Sequence, residues 1–364
     1  MSKKIYIAGA HSRGQTVAFY LSYLNKEVEI EAYLVDNEEE NPESIEGVPV
    51  VKITSDTDLN KDYPVYIGTR GVSHAHFVEL FQEKGMKEIY PVTVELDLQL
   101  RNSFLEKYFQ SLGRNYEKIS DEAYLCRKKM TKDSCTDVCV YVANSAFDKS
   151  LEKEYVLAPY ERVIQVGAAL TEKRISENVL TDDTGENISL RNKQFCELTA
   201  LYWLWKNATE DVVGLVHYRR HFILPDDWEM RMEEAGIDVI LPLPLYVTPS
   251  VEENYKKRHD PSDWEFMIQY LKERYPEDYE DAKKVFSGNL YSPCNMFIMK
   301  KSVLNELCQW MFPILEEVAL HGGQKENAYF NRYPGFISER LITYFFEKHS
   351  SSLKVVYADK NFLS

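Results

Sequence analysis

At 364 residues the chain is longer than one hydrophobic core usually serves, so two domains are expected. Hydrophobic residues at 44% and charged residues at 28% are ordinary for a globular protein, and a net charge of -15 argues against nucleic-acid binding, which needs a positive face. No stretch approaches the roughly 18 apolar residues that span a bilayer. The N-terminal MSKKIYIAGAHSRG turns polar too early for a signal peptide, so a cytoplasmic chain is expected. Six scattered cysteines (Cys126, Cys135, Cys139, Cys196, Cys294, Cys308) lack a second pair at zinc-site spacing and read as reduced thiols.

The first elements alternate. KKIYIAGAHSRGQTVAFYLSY reads as a strand at Ile5–Ile7, a glycine-bearing turn and a helix with Val17, Phe19, Tyr20, Leu21 and Leu24 supplying helical spacing. EIEAYLVD, ending at Asp36, is a second strand. PVYIGTR (64–70), a helix from about His74 to Gly85 and the short strand EIYPVT follow. This alternation predicts an α/β domain with a parallel, Rossmann-like sheet and a ligand at the strand C-termini. GAHSRG supplies Gly9, His11, Ser12, Arg13 and Gly14 as a candidate phosphate cradle, and Asp36 stands where a ribose-binding carboxylate would. The loop is not G-x-G-x-x-G, since Ala10 is followed by His11. With IEGVPVV after Asp36, the first 95 or so residues resemble the N-terminal nucleotide-sugar-binding domain of bacterial sugar acetyltransferases that modify surface glycans.

From about Glu95 to Asp137 the pattern turns charged and helical (LQLRNSFLEKYFQSL), then lysine-rich (RKKMTKDS), and reads as a connector with the boundary near 120–135. The expected division is a Rossmann-like domain over 1–120, a connector over 121–136 and a second α/β domain over 137–364. There DVCVYVANSAFD is a strand ending at Asn144–Ser145. ISLRNKQFCELTALYWLWKN predicts one long helix with Phe195, Leu198, Tyr202 and Trp205 on one face and Ser189 or Asn192 as its cap. DVVGLVHYRRHF predicts a buried strand, Val212–Val216, running directly into His217, Tyr218, Arg219, Arg220 and His221. DVILPLP (238–244), SPCNMFIMKK (292–301) and PGFISERL (334–341) continue the alternation.

These segments, in this order from Asp137 onward, resemble a bacterial capsular and exopolysaccharide glycosyltransferase family with an HYRR signature. The resemblance implies a GT-A-like fold and a nucleotide-sugar transferase, with a UDP-sugar donor and a polysaccharide or lipid-linked oligosaccharide acceptor. Contact with the inner face of the membrane would then be peripheral. It also implies donor-site roles for Asn144, Asn187, Asn192, Glu197, Thr199, His217, Tyr218, Asn295 and Arg340. His221 stands where the family often has tyrosine, and Val216 where it often has cysteine.

The chemistry of the residues agrees with that expectation. A departing nucleoside diphosphate gains negative charge, and arginine forks bind phosphate oxygens in pairs. Many GT-A enzymes carry a metal-binding D-x-D at the end of this strand, and here Arg219 and Arg220 follow it instead. No dedicated metal ligand is expected, although Mg or Mn held by scattered carboxylates and the diphosphate stays open. Against this, Arg219 or Arg220 could pair with Glu197 or Glu339, and His217 could be a hydrogen-bonded core histidine. Glu339, expected near a helix start, is the candidate base for the acceptor hydroxyl, or equally an acid paired with Arg340. Asp182 and Asp183 are rivals for the base. Trp203 and Trp205 read as core. Two further functions compete: an NAD-dependent nucleotide-sugar oxidoreductase, against which the missing G-x-G-x-x-G and Tyr-x-x-x-Lys count, and a non-catalytic nucleotide-binding glycan-assembly protein.

Overall fold

The last four residues of β1 (Lys3–Ala8) are buried, and in the computed structural model this strand lies inside a sheet. The structure describes residues 3–36, 41–125, 136–153 and 155–363. The chain divides into two units, 1–116 and 117–364. Cys126, Cys135 and most of the expected connector lie outside the described residues.

In the first unit, α1 (Ser12–Leu24) follows β1, then come β2 (Val28–Val35), a hairpin of β3 (Ser44–Ile45) with β4 (Val48–Lys52), and β5 (Val65–Ile67). α2 (His74–Glu83), β6 (Ile89–Pro91) and α3 (Val94–Ser111) complete it. The order β3-β4-β2-β1-β5-β6 is parallel apart from the hairpin. Strand order therefore reverses between β1 and β5, where an open α/β sheet leaves its ligand crevice. Gly9, with a left-handed φ of 105°, closes β1 there. A Cβ on Gly14 would lie 2.0 Å from the Gly9 carbonyl oxygen, and one on Gly68 would lie 2.8 Å from Gly14 Cα. The stretch after Glu95, expected as connector, is instead α3, an integral helix. Thr93 caps it through the Leu96 amide, and its Phe104 is buried against Phe19, Tyr20 and Tyr23 of α1 with ring centroids 4.9–5.2 Å apart. Charge on its outer face masked a buried aromatic stripe.

The second unit begins with residues packed on its own sheet: Ile119 is buried there, and Lys118 bridges to Tyr357. β7 (Val138–Ser145), β8 (Glu161–Val166) and β9 (Leu180–Thr181) run parallel. α4 (Asn192–Phe195), α5 (Leu198–Asn207), β10 (Val212–His217), β11 (Phe222–Ile223), α6 (Trp228–Glu234), β12 (Val239–Pro242) and β13 (Leu245–Tyr246) come next. The helices α7 (Val251–Arg258), α8 (Pro261–Arg274) and α9 (Pro276–Ser287) precede β14 (Leu290–Tyr291), β15 (Phe297–Lys300), α10 (Lys301–Gly322), α11 (Tyr333–Lys348) and β16 (Val355–Lys360). Eight strands form one mixed sheet, β11-β16-β12-β15-β10-β7-β8-β9.

β10 lies between parallel β7 and antiparallel β15 and is covered on both faces. Val213 and Leu215 enter one core, Val212 and Val216 the other. A strand buried on both sides reads as an unbroken apolar run, and Gly214 is where Val140 and Ile298 close in, each within 3.0 Å of where a Cβ would stand.

The expected long helix is broken. Residues 189–191 form a 3-10 turn, α4 lasts four residues, and Cys196 adopts a left-handed φ of 48° before α5 begins. Neither Ser189 nor Asn192 caps it. Ser189 donates to Asp182, and Asn192 donates to the Cys196 carbonyl and to Thr199 Oγ1.

Gly14→Ala forces the Gly9 carbonyl to move, and overpacking of this kind costs roughly 1–3 kcal/mol. Thermal unfolding of the full chain should show at least one transition lowered by several degrees. An unchanged melting profile would show that the loop yields freely.

Candidate active site

The cation-rich segment is a hairpin turn, not a continued strand. β10 ends at His217, whose N–H donates to the Arg220 carbonyl at 3.1 Å, while Arg220 N–H returns a bond to the His217 carbonyl at 2.9 Å. Tyr218 and Arg219 form the tip. Alternation of side chains between the sheet faces therefore stops at His217. Two long-range pairings hold the turn: Leu363 N–H donates to the Arg219 carbonyl at 2.8 Å and Asn361 N–H to the His221 carbonyl at 3.0 Å.

The two acids considered as partners for the arginines are engaged elsewhere. Glu197 accepts from Asn295 Nδ2 at 2.8 Å, and Glu339 pairs with Arg340 Nη1 at 2.6 Å. The guanidinium groups lie against aromatic rings instead, Arg219 over Tyr218 at 5.1 Å and Arg220 over Phe362 at 5.4 Å. Arg219 Nε is buried without a partner among the described residues. Asp148, in the turn after β7, accepts the Ser145 amide at 2.7 Å and lies within electrostatic reach of Arg219, His217 and Arg332. Burial pushes its carboxyl up against those pulls.

His217 is hydrogen-bonded, as the plainer alternative held: its Nε2 lies 2.6 Å from the Cys294 carbonyl. Burial drives its pKa down, Glu197 opposes, and Arg220 and Arg332 add to the lowering, so the ring is neutral at pH 7. The residue that receives it is strained. Cys294 and Asn295 both have left-handed φ values, 74° and 50°, just before β15. Non-glycine residues in that region cost of order 1–3 kcal/mol each and concentrate at functional sites. The strained pair offers its Cys294 carbonyl to His217 and its Cys294 amide to Glu339.

Several residues expected at the donor prove to be fasteners. Asn295 is 2% exposed, with its amide spent on Glu197 and the Gly335 carbonyl and its Oδ1 on Ser338. Thr199, fully buried, donates to Asp182 at 2.6 Å. Asn187 bonds the carbonyls of Asp183 and Gly185. Asp182, a rival base, is buried and accepts from the Gly167 and Ala168 amides, Ser189 and Thr199, which makes it the hub of this loop system; Asp183 pairs with Arg174. Glu339 is not near the start of its helix. α11 begins at Tyr333, so the carboxyl sits in the second turn. Burial pushes it up, while Arg340 and the Cys294 amide pull it back. Arg340 is itself interior, 4.1 Å from the Tyr291 ring. Trp203 is buried; Trp205 is partly buried and stacks on Phe312.

Asn144 and Tyr218 line a cavity of about 450 Å³ at the C-terminal end of β7 and alongside β8, together with Asp148, Lys149, Arg174 and His221. Gln165, fully buried on β8, bolts down the 173–175 rim through the Lys173 carbonyl and the Ile175 amide. Sequence reasoning assigned nothing to Asp148, Glu161, Gln165 or Arg332. Only Asp148 left a local signal, the Ser145-x-x-Asp148 turn. Arg332 reaches the cluster through Cys196 Sγ at 3.0 Å, across 136 residues.

Among the described residues no group of three or more His, Cys, Asp or Glu side chains is placed to hold a metal ion. Asp148, Glu197 and Glu339 each already receive an N–H donor. The four described cysteines, Cys139, Cys196, Cys294 and Cys308, are free. No helix among the described residues is long and apolar enough to cross a membrane. In the first unit, Gly9 and Gly14 meet at the crevice, His11 precedes Ser12 at the start of α1, Arg13 donates to the Val92 carbonyl at 3.0 Å, and Asp36 bonds His76 Nε2 at 2.6 Å.

A family model described as a domain of unknown function, DUF4422, matches residues 149–350, more than half of the chain. Among solved structures the chain is similar to the WbbM bifunctional glycosyltransferase in its apo form, at 27% identity and a TM-score of 0.54, over 63% of this chain and 45% of that one. The chain thus spans less than half the length of that protein. The mannosyltransferase Ktr4p from S. cerevisiae also matches, at 9% identity and a TM-score of 0.34, over 73% of this chain and 79% of that one, a likeness too loose to carry an argument. No curated protein matches by sequence. The architecture is therefore that of a Rossmann-like unit and a GT-A-like α/β unit.

His259, stacked on Phe336 at 4.1 Å, is held down to about 3, by burial first and then by Arg340, Arg258 and Lys325. A histidine depressed below its unfolded value near 6.5 contributes stability that is present above that pH and lost as pH falls toward the folded value. His217 acts in the same direction; Asp148 and Glu339, both raised, act in the opposite one. Comparing His259→Phe with the parent from pH 7 to pH 5 isolates this contribution. The variant should lose less melting temperature over that range, and equal losses would remove His259 from the acid response.

Proposed function

The chain belongs to the DUF4422 family, and from the site within that segment we propose that it is a glycosyltransferase moving a sugar from a UDP-sugar to a growing capsular or exopolysaccharide acceptor. One observation carries the reading. Two guanidinium groups stand on a pinned turn, matched to no carboxylate among the described residues, beside a 450 Å³ cavity at the strand ends of a fold shared with a glycosyltransferase. As the glycosidic bond breaks, the leaving diphosphate gains charge, and arginines fixed in advance meet it without reorganisation. The low-dielectric wall behind Arg219 strengthens that attraction.

On this reading Arg219 and Arg220 bind the diphosphate, with Tyr218 and Asn144 on the cavity side. His217, neutral and anchored, positions the turn. Glu339 takes the acceptor hydroxyl proton, its raised carboxyl pKa bringing it nearer the range a base needs. Asp148 is the rival, because it shares the cavity with Tyr218 and faces the same cations. Among the described residues no carboxylate cluster is placed to cage a metal, so any participating Mg or Mn would take most of its ligands from the diphosphate and water. A lipid-linked acceptor and peripheral contact with the inner membrane face complete the proposal. The first unit, with Gly9, His11, Ser12, Arg13 and Gly14 at its crevice and Asp36 nearby, is proposed to bind a nucleotide or nucleotide sugar.

A screen of nucleotide sugars for thermal stabilisation identifies the donor, since a ligand that binds the native state raises its melting temperature. NAD binding in the absence of UDP binding would transfer the chain to the oxidoreductase class. Loss of a charge-assisted contact is worth about 1.5–3 kcal/mol. Arg219→Ala and Arg220→Ala should therefore each weaken UDP binding by calorimetry at least tenfold; a folded variant with parental affinity removes that arginine from the diphosphate.

For Glu339→Gln, transfer should fall roughly a hundredfold with UDP binding retained, the scale of lost general-base help. If that variant turns over normally while Asp148→Asn shows the loss, the base is Asp148.

A further inference from the structure

His221, which lines the cavity beside the arginine turn, has one ring nitrogen that the protein leaves without a partner among the described residues. His221 is 1% exposed, and its Nδ1 lies 2.7 Å from Glu161 Oε1, a carboxylate whose side chain is itself 3% exposed. Glu161 Oε2 accepts from Tyr155 OH at 3.2 Å and from the Ala158 amide at 2.9 Å. A carboxylate surrounded by three donor groups acts only as acceptor, so the imidazole proton resides on Nδ1. A second proton on Nε2 would be a buried N–H with no acceptor beside it among the described residues, so the geometry leaves that nitrogen as a lone-pair acceptor. That atom is buried and has no partner among the described residues, while the residue it belongs to lines the cavity.

The ring cannot turn to satisfy it. Tyr155, another cavity residue, stacks on it with centroids 3.9 Å apart, and the His221 backbone is fixed on both sides by Asn361, whose Oδ1 accepts the His221 amide at 2.9 Å. A rigid acceptor without a donor is the mark of a site that reads a ligand proton. Phosphate oxygens of a nucleotide sugar carry no proton near pH 7 and do not suit it. A ribose hydroxyl or a base imide N–H does. The cavity walls include Val142, Leu157, Val163 and Ile175, and apolar walls with few fixed polar groups suit a nucleoside.

Resting on the transferase reading above, we infer that this cavity takes the nucleoside half of the donor, and that His221 Nε2 accepts a hydrogen bond from the imide N–H or a ribose O–H. Glu161 and Tyr155 are the positioning residues that fix the tautomer and the ring plane. Donor recognition then divides into two parts: guanidinium groups for the diphosphate, and a fixed imidazole acceptor for the nucleoside.

Calorimetric titration of the full chain with UDP, N3-methyl-UDP, 2′-deoxy-UDP, 3′-deoxy-UDP and inorganic pyrophosphate tests this. His221→Phe should bind UDP at least tenfold more weakly while its pyrophosphate affinity stays at the parental value. On the unaltered protein, one of the three modified nucleotides should show a similar loss, N3-methylation if the imide is read and a deoxy analogue if the ribose is. That same modification should cost His221→Phe nothing further. Parental UDP affinity in His221→Phe, equal weakening toward pyrophosphate, or unaltered protein that binds all three analogues as well as UDP overturns the assignment. The analogue series needs no variant to fold. If the unaltered protein binds no nucleoside diphosphate, the transferase reading falls with it; if UDP binds and only the His221 arms fail, the transferase reading stands.

Discussion

The second unit depends on the double burial of β10. A strand covered on both faces has no room for charge, so charge can appear only past the last core layer, and the chain must turn there at once because β11 has to reach β16. The arginines are thereby confined to a tight turn at the C-terminal end of an interior strand. Flanking strands β7 and β15 bring their own termini to the same level. The Asn144–Asp148 turn arrives from one side, and the strained Cys294–Asn295 pair from the other. The site is a consequence of where apolar packing stops.

That arrangement uses charge economically. Cations near the site are balanced by distance and by aromatic faces, while the nearby acids are tied to amides and to Arg340. An arginine satisfied by a carboxylate would present a neutral pair to an incoming phosphate. Aromatic contact keeps the positive potential outward, and cation–π attraction is weak enough for a phosphate to compete with it.

What the sequence discloses here follows the range of the interaction. The alternation of strands and helices, the buried run from Val212 to Val216 and the crevice glycines are local patterns, and each appears where expected. The break at Cys196 does not, because ISLRNKQFCELTALYWLWKN satisfies helical spacing throughout. The left-handed residue is held by specific hydrogen bonds on either side of it: Asn192 donates to the Cys196 carbonyl, and Thr199 donates to Asp182 in the preceding loop. α3 was misplaced for the opposite reason: its charged surface is local, whereas the aromatic partners of Phe104 are about 80 residues away. Asn144 and Tyr218, named from the family resemblance, both line the cavity. The Glu161–His221 pair spans 60 residues and has no local sign at all. Asn295, Thr199 and Asn187 have the chemistry of sugar ligands, yet burial commits the first two to the scaffold and local carbonyl contacts occupy the amide of Asn187.

The turn that carries Arg219 and Arg220 is sewn to residues 361–363, some 140 positions later in the chain. During synthesis the amino-terminal sheet can form while later segments are still emerging, since domains fold as units from the amino terminus. The arginine turn has no such freedom. Its backbone partners follow some 140 positions later, so the cations stay unfastened until that segment has been made and has folded back onto β10.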